Sequence, residues 1–330
     1  MDPVTHIVAG GLAGQAVRRY FPGKAIVPFG MVAAWLPDID NFISGDPEFY
    51  LLYHRAFTHS IFGGLLIAAL FAGAVWIFKR GTWRFPRLFA FAYGCVLLHV
   101  FLDWINTFGT LVFAPFSTTR YALGSVFIID PLLTGSLLVL FVVSLCASSL
   151  RKPAYGLAAL GFIFVYPFTN YGVKSVLEAR IANALEADGV TYGQVRLDTD
   201  FLTPFRWKLI VETEDDYLVE PFHLFRTVPE GRFEVFRKAD RAKLRRWGEA
   251  DSFFATWEWF AVYPVVEERE GETGRVALHS DLRFRTLHPW AERVRPPDAP
   301  APFSLEVKMN EAGEPASWRY FEPAFGLERD

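Results

Sequence analysis

Apolar positions run continuously through the first half of this chain and alternate with polar ones through much of the second. Residues 61–78, 88–102, 132–150 and 154–173 are each about long enough to cross a hydrocarbon core or most of one, and two shorter apolar segments, 4–17 and 25–36, precede them. Past residue 173 the pattern changes. Leu177, Ile181 and Leu185 share one stripe of an amphipathic helix over 175–187 that Gly189 would stop. Strand signals follow: Trp207, Leu209 and Val211 alternate with Lys208 and Glu212, an acidic turn spans 212–216, and 217–225 returns. Trp257, Trp259, Ala261, Tyr263 and Val265 read as one face of a further strand, Gly271 and Gly274 as its turn, and Val276, Leu278, Leu282 and Phe284 as its partner. After the proline-rich link 295–302, segments 304–309 and 318–321 form a last hairpin around Gly313. The expected fold is an α-helical membrane domain over 1–173, with about four long spans plus two short N-terminal segments, followed by a mainly antiparallel β soluble domain over 174–330.

Composition narrows the function classes. A net charge of -3 without a long basic run argues against nucleic acid as a partner. Cys95 and Cys146 both lie in apolar segments, so no disulfide framework organises the fold. Met1-Asp2-Pro3 carries no positive charge and no small-residue cleavage site follows, so the first segment is expected to be retained.

Basic residues assign the sides of the membrane. Arg18, Arg19 and Lys24 separate the first two segments; Lys79, Arg80, Arg84 and Arg87 separate the third from the fourth; Arg151 and Lys152 separate the last two. Short loops rich in Lys and Arg stay cytoplasmic, so the N-terminus and everything after residue 173 are expected outside the inner membrane. That assignment gathers a second set of residues it was not built on. His6, Asp38, Asp40, His54, His59, His99, Asp103 and Asp130 all fall at the outer ends of their segments. Ionisable groups are expensive at membrane depth and mark a site with partners.

Each motif carries its own chemistry beside a plainer reading. His99 and Asp103 are four apart and stack on one helical face, as two ligands of one ion require or as a buried hydrogen-bonded pair would. In Pro37-Asp38-Ile39-Asp40 two carboxylates end an apolar segment; such acids either are solvated at a turn or share a cation. His54 and His59 are five apart, which places His54 in a loop and His59 in the first turn of the following helix, with Thr58 near its N-cap. Arg55 offers a fork of donors to phosphate or a developing oxyanion, or else a charge to lipid headgroups. His6 is either a packed histidine or a ligand, and Asp130 completes the acidic candidates.

As an ordered set, Thr5-His6, Pro37-Asp38-Ile39-Asp40, His54-Arg55 with Thr58-His59-Ser60, and His99 with Asp103 resemble the YdjM-like family of bacterial inner-membrane proteins, which is described as metal-dependent hydrolases. The resemblance covers about the first 130 residues and implies a membrane domain with a metal-binding, hydrolase-like site on those positions. The His-xxx-Asp helix and the mixed ligands are also distantly similar to zinc-dependent phospholipase C and its nuclease relatives, which implies phosphoester cleavage. Through Pro204-Phe205-Arg206-Trp207, which opens a strand, the C-terminal region resembles only the longer members of the family and shows no chemistry of its own.

Mixed imidazole and carboxylate ligands fit zinc best, with manganese or iron as alternatives. Eight candidate ligands exceed one tetrahedral ion, which leaves two ions, or one ion with outer carboxylates. The expected chemistry is hydrolysis by metal-activated water at the outer leaflet, with Asp38 or Asp40 taking the proton, Arg55 at the reacting group, and a membrane lipid or lipid-linked substrate. No Gly-x-Ser-x-Gly elbow or P-loop offers another route. Two other classes stay open: a transporter, and a non-catalytic membrane protein with a structural metal site and a binding domain.

Overall fold

The computed structural model describes residues 1–43, 46–226, 228–271, 274–287 and 299–322. The chain divides into two compact units, Met1–Ser44 with Tyr53–Val173, and Gly45–Leu52 with Lys174–Asp330. The tip between Gly271 and Gly274 and the first half of the proline-rich link lie outside the described residues.

The first unit is helical: α1 (Pro3–Val17), α2 (Ile26–Trp35), α4 (Ile61–Lys79), α5 (Phe85–Trp104), α6 (Pro131–Cys146) and the first part of α7 (Lys152–Ala187). α3 (Pro47–Tyr53) belongs largely to the second unit. Among the described residues three helices, α4, α5 and α7, are long and apolar enough to cross a membrane. The fifth apolar segment is shorter than expected. Ala147 turns extended and ends α6 after 16 residues, or about 24 Å of helix. The last two expected helices are in fact one: α7 continues without a break through Lys174, and Pro167 is accommodated inside it.

Glycine lets two helices of this bundle meet closely. A Cβ on Gly10 would come within 2.2 Å of the Gly30 carbonyl oxygen, and one on Gly30 within 2.4 Å of the Gly10 oxygen. α1 and α2 therefore touch backbone to backbone, as small residues permit. Thr5 meets Thr134 (2.6 Å) and Gln15 meets Ser144 (3.5 Å), so α1 and α6 run in the same direction. The starts of α1, α4 and α6 and the ends of α2 and α5 thus share one end of the bundle, and the basic residues 18–24, 79–87 and 151–152 share the other.

In the second unit two four-stranded antiparallel meanders form, β1 (Gln194–Thr199) to β4 (Glu234–Arg237) and β5 (Pro264–Gly271) to β8 (Pro315–Phe321). β2 (Arg206–Glu212) and β3 (Asp216–His223) form the expected pair around the acidic turn, and β7 (Ser304–Met309) and β8 the expected hairpin at Gly313. The strand expected through Trp257 and Trp259 is instead a helix, α9 (Ser252–Phe260), which follows the short α8 (Arg241–Trp247). Its buried Phe253, Phe254, Trp257 and Phe260 recur at helical spacing, and Asp251 caps its first turn. The strand begins only at Pro264. Ile210, Tyr217, Val219 and Phe236 of the first sheet pack with Val265 of the second and with Leu282 of the 3₁₀ turn Leu282–Phe284.

Candidate metal centre

Local structure aims each polar group of the site. Leu36–Phe42 is a 3₁₀ segment with Pro37 in its first turn, and its three-residue period sends Asp38 and Asp40 in different directions. His54 follows α3 in a turn, and His59 lies in a separate 3₁₀ turn, Phe57–His59, rather than in α4 itself. The cap of α4 is Ser60, whose hydroxyl accepts from the Gly63 amide at 2.9 Å; Thr58, expected near that position, turns to the site instead. His99 and Asp103 sit one turn apart on the buried side of α5.

Four groups converge. One ligand atom each from Asp38, His59, His99 and Asp103 lies within 4.8 Å of all the others, and all four residues are buried. His59 Nε2 is 3.1 Å from Asp103 Oδ2 and 3.6 Å from Asp38 Oδ1; His99 Nε2 is 3.3 Å and 3.7 Å from the same two oxygens. Ligand atoms arranged tetrahedrally at zinc-like bond lengths of about 2.0–2.1 Å are separated by about 3.3 Å, close to the four histidine–carboxylate spacings of 3.1–3.7 Å. Direct hydrogen bonds do not explain it: His59 Nε2, His99 Nε2 and Asp103 Oδ2 are buried without a hydrogen-bond partner. Orphaned buried polar atoms are costly and rare.

The surroundings leave the lone pairs facing inward. His99 Nδ1 is 2.7 Å from the Ala34 carbonyl, which can only accept, so Nδ1 carries the proton and Nε2 is free to bind. His59 Nδ1 is held by Asp40 Oδ2 at 3.2 Å, with the Thr58 hydroxyl 2.9 Å away. Asp40 is thereby occupied: its Oδ1 faces His54 Nδ1 at 3.2 Å, and its Oδ2 also accepts from the Arg55 amide (3.1 Å) and the Thr58 hydroxyl (2.9 Å). Burial opposes the negative charge on Asp40, yet His59 and His54 hold its carboxyl well below the usual carboxylate range. Burial likewise opposes a proton on His59, but Asp40, Asp103 and Asp38 raise its affinity for one well above the ordinary histidine range. The cavity among these carboxylates favours positive charge.

Arg55 borders the group. Its Nη2 donates to Asp103 Oδ1 at 3.0 Å and its Nη1 to Asn106 Oδ1 at 3.1 Å, while its guanidinium lies 4.5 Å from the Phe108 ring centroid. The Arg55 backbone is left-handed, with φ of 58°, a conformation that costs a non-glycine residue energy and gathers at functional sites. The Met1 amino group also donates to Asp103 Oδ1.

Of the eight expected ligands, the structure thus brings Asp38, His59, His99 and Asp103 to one point. His6 lies against them, stacked on His99 at 3.7 Å between ring centroids and 3.4 Å from Asp103 Oδ1. Asp40 and His54 pair with each other just outside. Asp130 is elsewhere: its Oδ1 accepts from the Leu132 and Leu133 amides at the start of α6, and its Oδ2 from the Tyr166 hydroxyl. Thr58 and the Ala34 carbonyl were not legible as site groups. Thr58 had a signal, its place beside His59; a backbone carbonyl leaves none in the sequence.

Residues 1–179 match the family described as YdjM inner membrane protein. The chain belongs to that family. It is 29% identical over 195 residues to the uncharacterized protein YfhP of Bacillus subtilis (strain 168), an alignment covering 56% of this chain and 57% of the relative. The chain thus spans little more than half the length of that relative. No solved structure matches the chain. The family match ends within the last quarter of α7, so it covers the candidate metal centre and stops before the β sheets.

Proposed function

We propose that this protein is a membrane-embedded metal-dependent hydrolase that cleaves a phosphoester or another bond of a lipid-linked substrate at the outer leaflet. The observation that carries the reading is the set of orphaned nitrogens and oxygens of His59, His99 and Asp103, joined by Asp38, with one ligand atom of each within 4.8 Å of all the others. The donor set fits zinc best, with manganese and iron as alternatives. A divalent ion held there supplies a Lewis acid and a water acidified towards neutrality.

The chain's own groups divide the remaining work. Asp38 Oδ2 has no hydrogen-bond partner, which suits it to receive the proton released in hydrolysis; Asp40, expected as the alternative, is saturated by four donors and suits holding His59 in place. Arg55 keeps an unpartnered Nε donor beside the ligand Asp103 and can stabilise negative charge on a phosphoryl oxygen. The basic residues at the opposite end of the helical bundle favour the cytoplasm and support an outer position for the site.

The test combines elemental analysis of the purified protein with product release from phospholipids and lipid-linked phosphates. Wild type is expected to hold metal and hydrolyse at least one substrate, His59→Ala and Asp103→Ala to lose both, and Arg55→Ala to keep metal while losing turnover. Full metal content in both His59→Ala and Asp103→Ala would overturn the site. A second reading, a structural metal tying α2, α4 and α5 together, draws on the complete burial of His59, His99 and Asp103. Metal retained by wild type, with no hydrolysis of any substrate and unfolding on chelation, would select it.

A further inference from the structure

We propose that the end of the first β sheet formed by Phe205, Arg206, His223, Phe225 and Arg232 is a membrane-contact surface that takes anionic phospholipid headgroups. The argument starts from the direction of α7 within the second unit. Leu177, Ile181 and Leu185 bury one stripe of this helix. The Tyr192 hydroxyl, just before β1, donates to the Ala182 carbonyl and to Glu186. Further along, the Leu197 amide donates to Glu178 at 2.8 Å, and Lys174 acts on the Asp198 carboxyl. As β1 advances from 194 to 199, its neighbours on α7 thus retreat from 186 to 174. The helix and β1 are antiparallel, and the Thr199 end of the sheet points the way α7 came. Residues 154–173, which lead into Lys174, are the apolar stretch of a helix long and apolar enough to cross a membrane.

The side chains at that end are those a bilayer surface selects. Thr199 pairs with Trp207, and Arg206 with His223, so the loop before β2 and the turn after β3 lie together at the tip. The Leu224 amide donates to the Phe205 carbonyl and holds them side by side. Phe225 is 78% exposed, Val228 53% and Phe205 43%, an unusual cluster of large apolar groups for a water-facing turn.

Behind them is a concavity of about 360 Å³ lined by Arg206, Glu220, His223, Arg226 and Arg232 among others. Its acids are used. Both Glu220 oxygens accept from the Glu230 and Arg232 amides, Asp200 accepts from Thr286 and the Leu287 amide, and Glu230 pairs with Arg226 at 2.5 Å. Arg206 and Arg232 are exposed and form no ion pair among the described residues. Two exposed guanidinium forks beside inserted aromatic rings match a phosphate at the headgroup level above acyl chains.

The experiment uses the full chain in lipid nanodiscs, with Cys146→Ser removing the exposed thiol and an environment-sensitive fluorophore on Phe225→Cys. Val228→Cys repeats the measurement with Phe225 retained, and Glu214→Cys, in the turn at the opposite end of the sheet, serves as the control. Brominated lipids are expected to quench the labels at 225 and 228 but not at 214, more strongly in phosphatidylglycerol than in phosphatidylcholine. Arg206→Glu with Arg232→Glu should remove the difference between the two lipids. Iodide quenching at 225 and 228 equal to that at 214 would overturn the proposal. So would shielding from iodide without quenching by brominated lipid, which would mean that protein covers the tip. Quenching independent of lipid charge and of both arginines would overturn the headgroup site.

Discussion

The two units of this chain both bury charge, and they do so to different ends. In the second, the buried Asp281–Arg283 pair is closed by partners: the two are 2.8 Å apart, Asp281 accepts from the Val262 and Arg283 amides, and Arg283 also donates to the Phe260 carbonyl. Lys208, 1% exposed, donates to the Leu282 and Arg285 carbonyls, and the one orphaned oxygen beside it, Asp198 Oδ2, faces this single cation at 3.4 Å rather than a group of ligands. In the first, His59, His99 and Asp103 are completely buried and point unpartnered atoms at one centre. A closed network is an internal joint; an open one facing itself is a receptacle. Burial alone does not distinguish them, and the accounting of hydrogen bonds does.

The contrast is broken most strongly from the second unit. Asp281→Asn leaves Arg283 as an unpaired buried cation, which should destabilise the β-sheet unit by about 3–5 kcal/mol while bound metal stays at the wild-type level. Denaturant titration followed by tryptophan fluorescence, with elemental analysis of the same protein, reads both. Lost metal without lost stability would mean that the joint and the receptacle had been exchanged.

A pH titration is the next largest effect. Burial, with Lys243 adding to it, lowers His279 from its ordinary 6.5 to about 4. The folded unit therefore binds this proton more weakly than the unfolded chain, so the stability is intact above about pH 6.5 and falls as pH drops from there towards 4, by about 3 kcal/mol in all. Chemical denaturation across that range should show the decline, and His279→Leu should flatten it. An equal slope in the variant would assign the effect to other groups.

Within the first unit, Asp40→Asn separates holding from binding. Asp40 touches His59 but is absent from the four convergent ligands, so its loss should weaken metal affinity by about 10–100-fold without abolishing it, against complete loss for Asp103→Ala. Competition with a chelator of known affinity measures the difference. Unchanged affinity in Asp40→Asn would show that His59 needs no outer carboxylate.

Gly10→Leu gives the smallest change in chemistry and tests the frame. A side chain there meets the Gly30 backbone, and the separation of α1 from α2 should shift Asp38 relative to His99 and lower metal occupancy without altering any ligand. Wild-type occupancy would show that α2 is positioned by α5 alone.

Much of this was written in the sequence because its signals are local. Uninterrupted apolar runs gave helices, alternation gave the β2–β3 pair and the last hairpin, and acids and histidines at one end of five apolar segments gave the candidates of which four converge. The aromatic run through Trp257 misled because period-two and helical readings both fit a short stretch crowded with large rings; the Asp251 cap and the burial of Phe253, Phe254, Trp257 and Phe260 decided for helix. Asp130 misled for a related reason. A carboxylate before Pro131 is equally a helix cap, and only its bonds to Leu132 and Leu133 show which it is.

What the sequence determined, then, is the set of residues able to hold an ion and the end of the bundle they occupy, since both follow from residue type and periodicity. Tertiary structure alone selected four of the eight. The turn after α2 brings Asp38 to the other three ligands and Asp40 to His54 and the outer nitrogen of His59, the Ala34 carbonyl fixes which nitrogen of His99 is free, and the contact of Gly10 with Gly30 sets how closely α1 meets α2. Each depends on atoms far apart in sequence, or on backbone groups that every residue shares, and neither leaves a mark in the order of side chains.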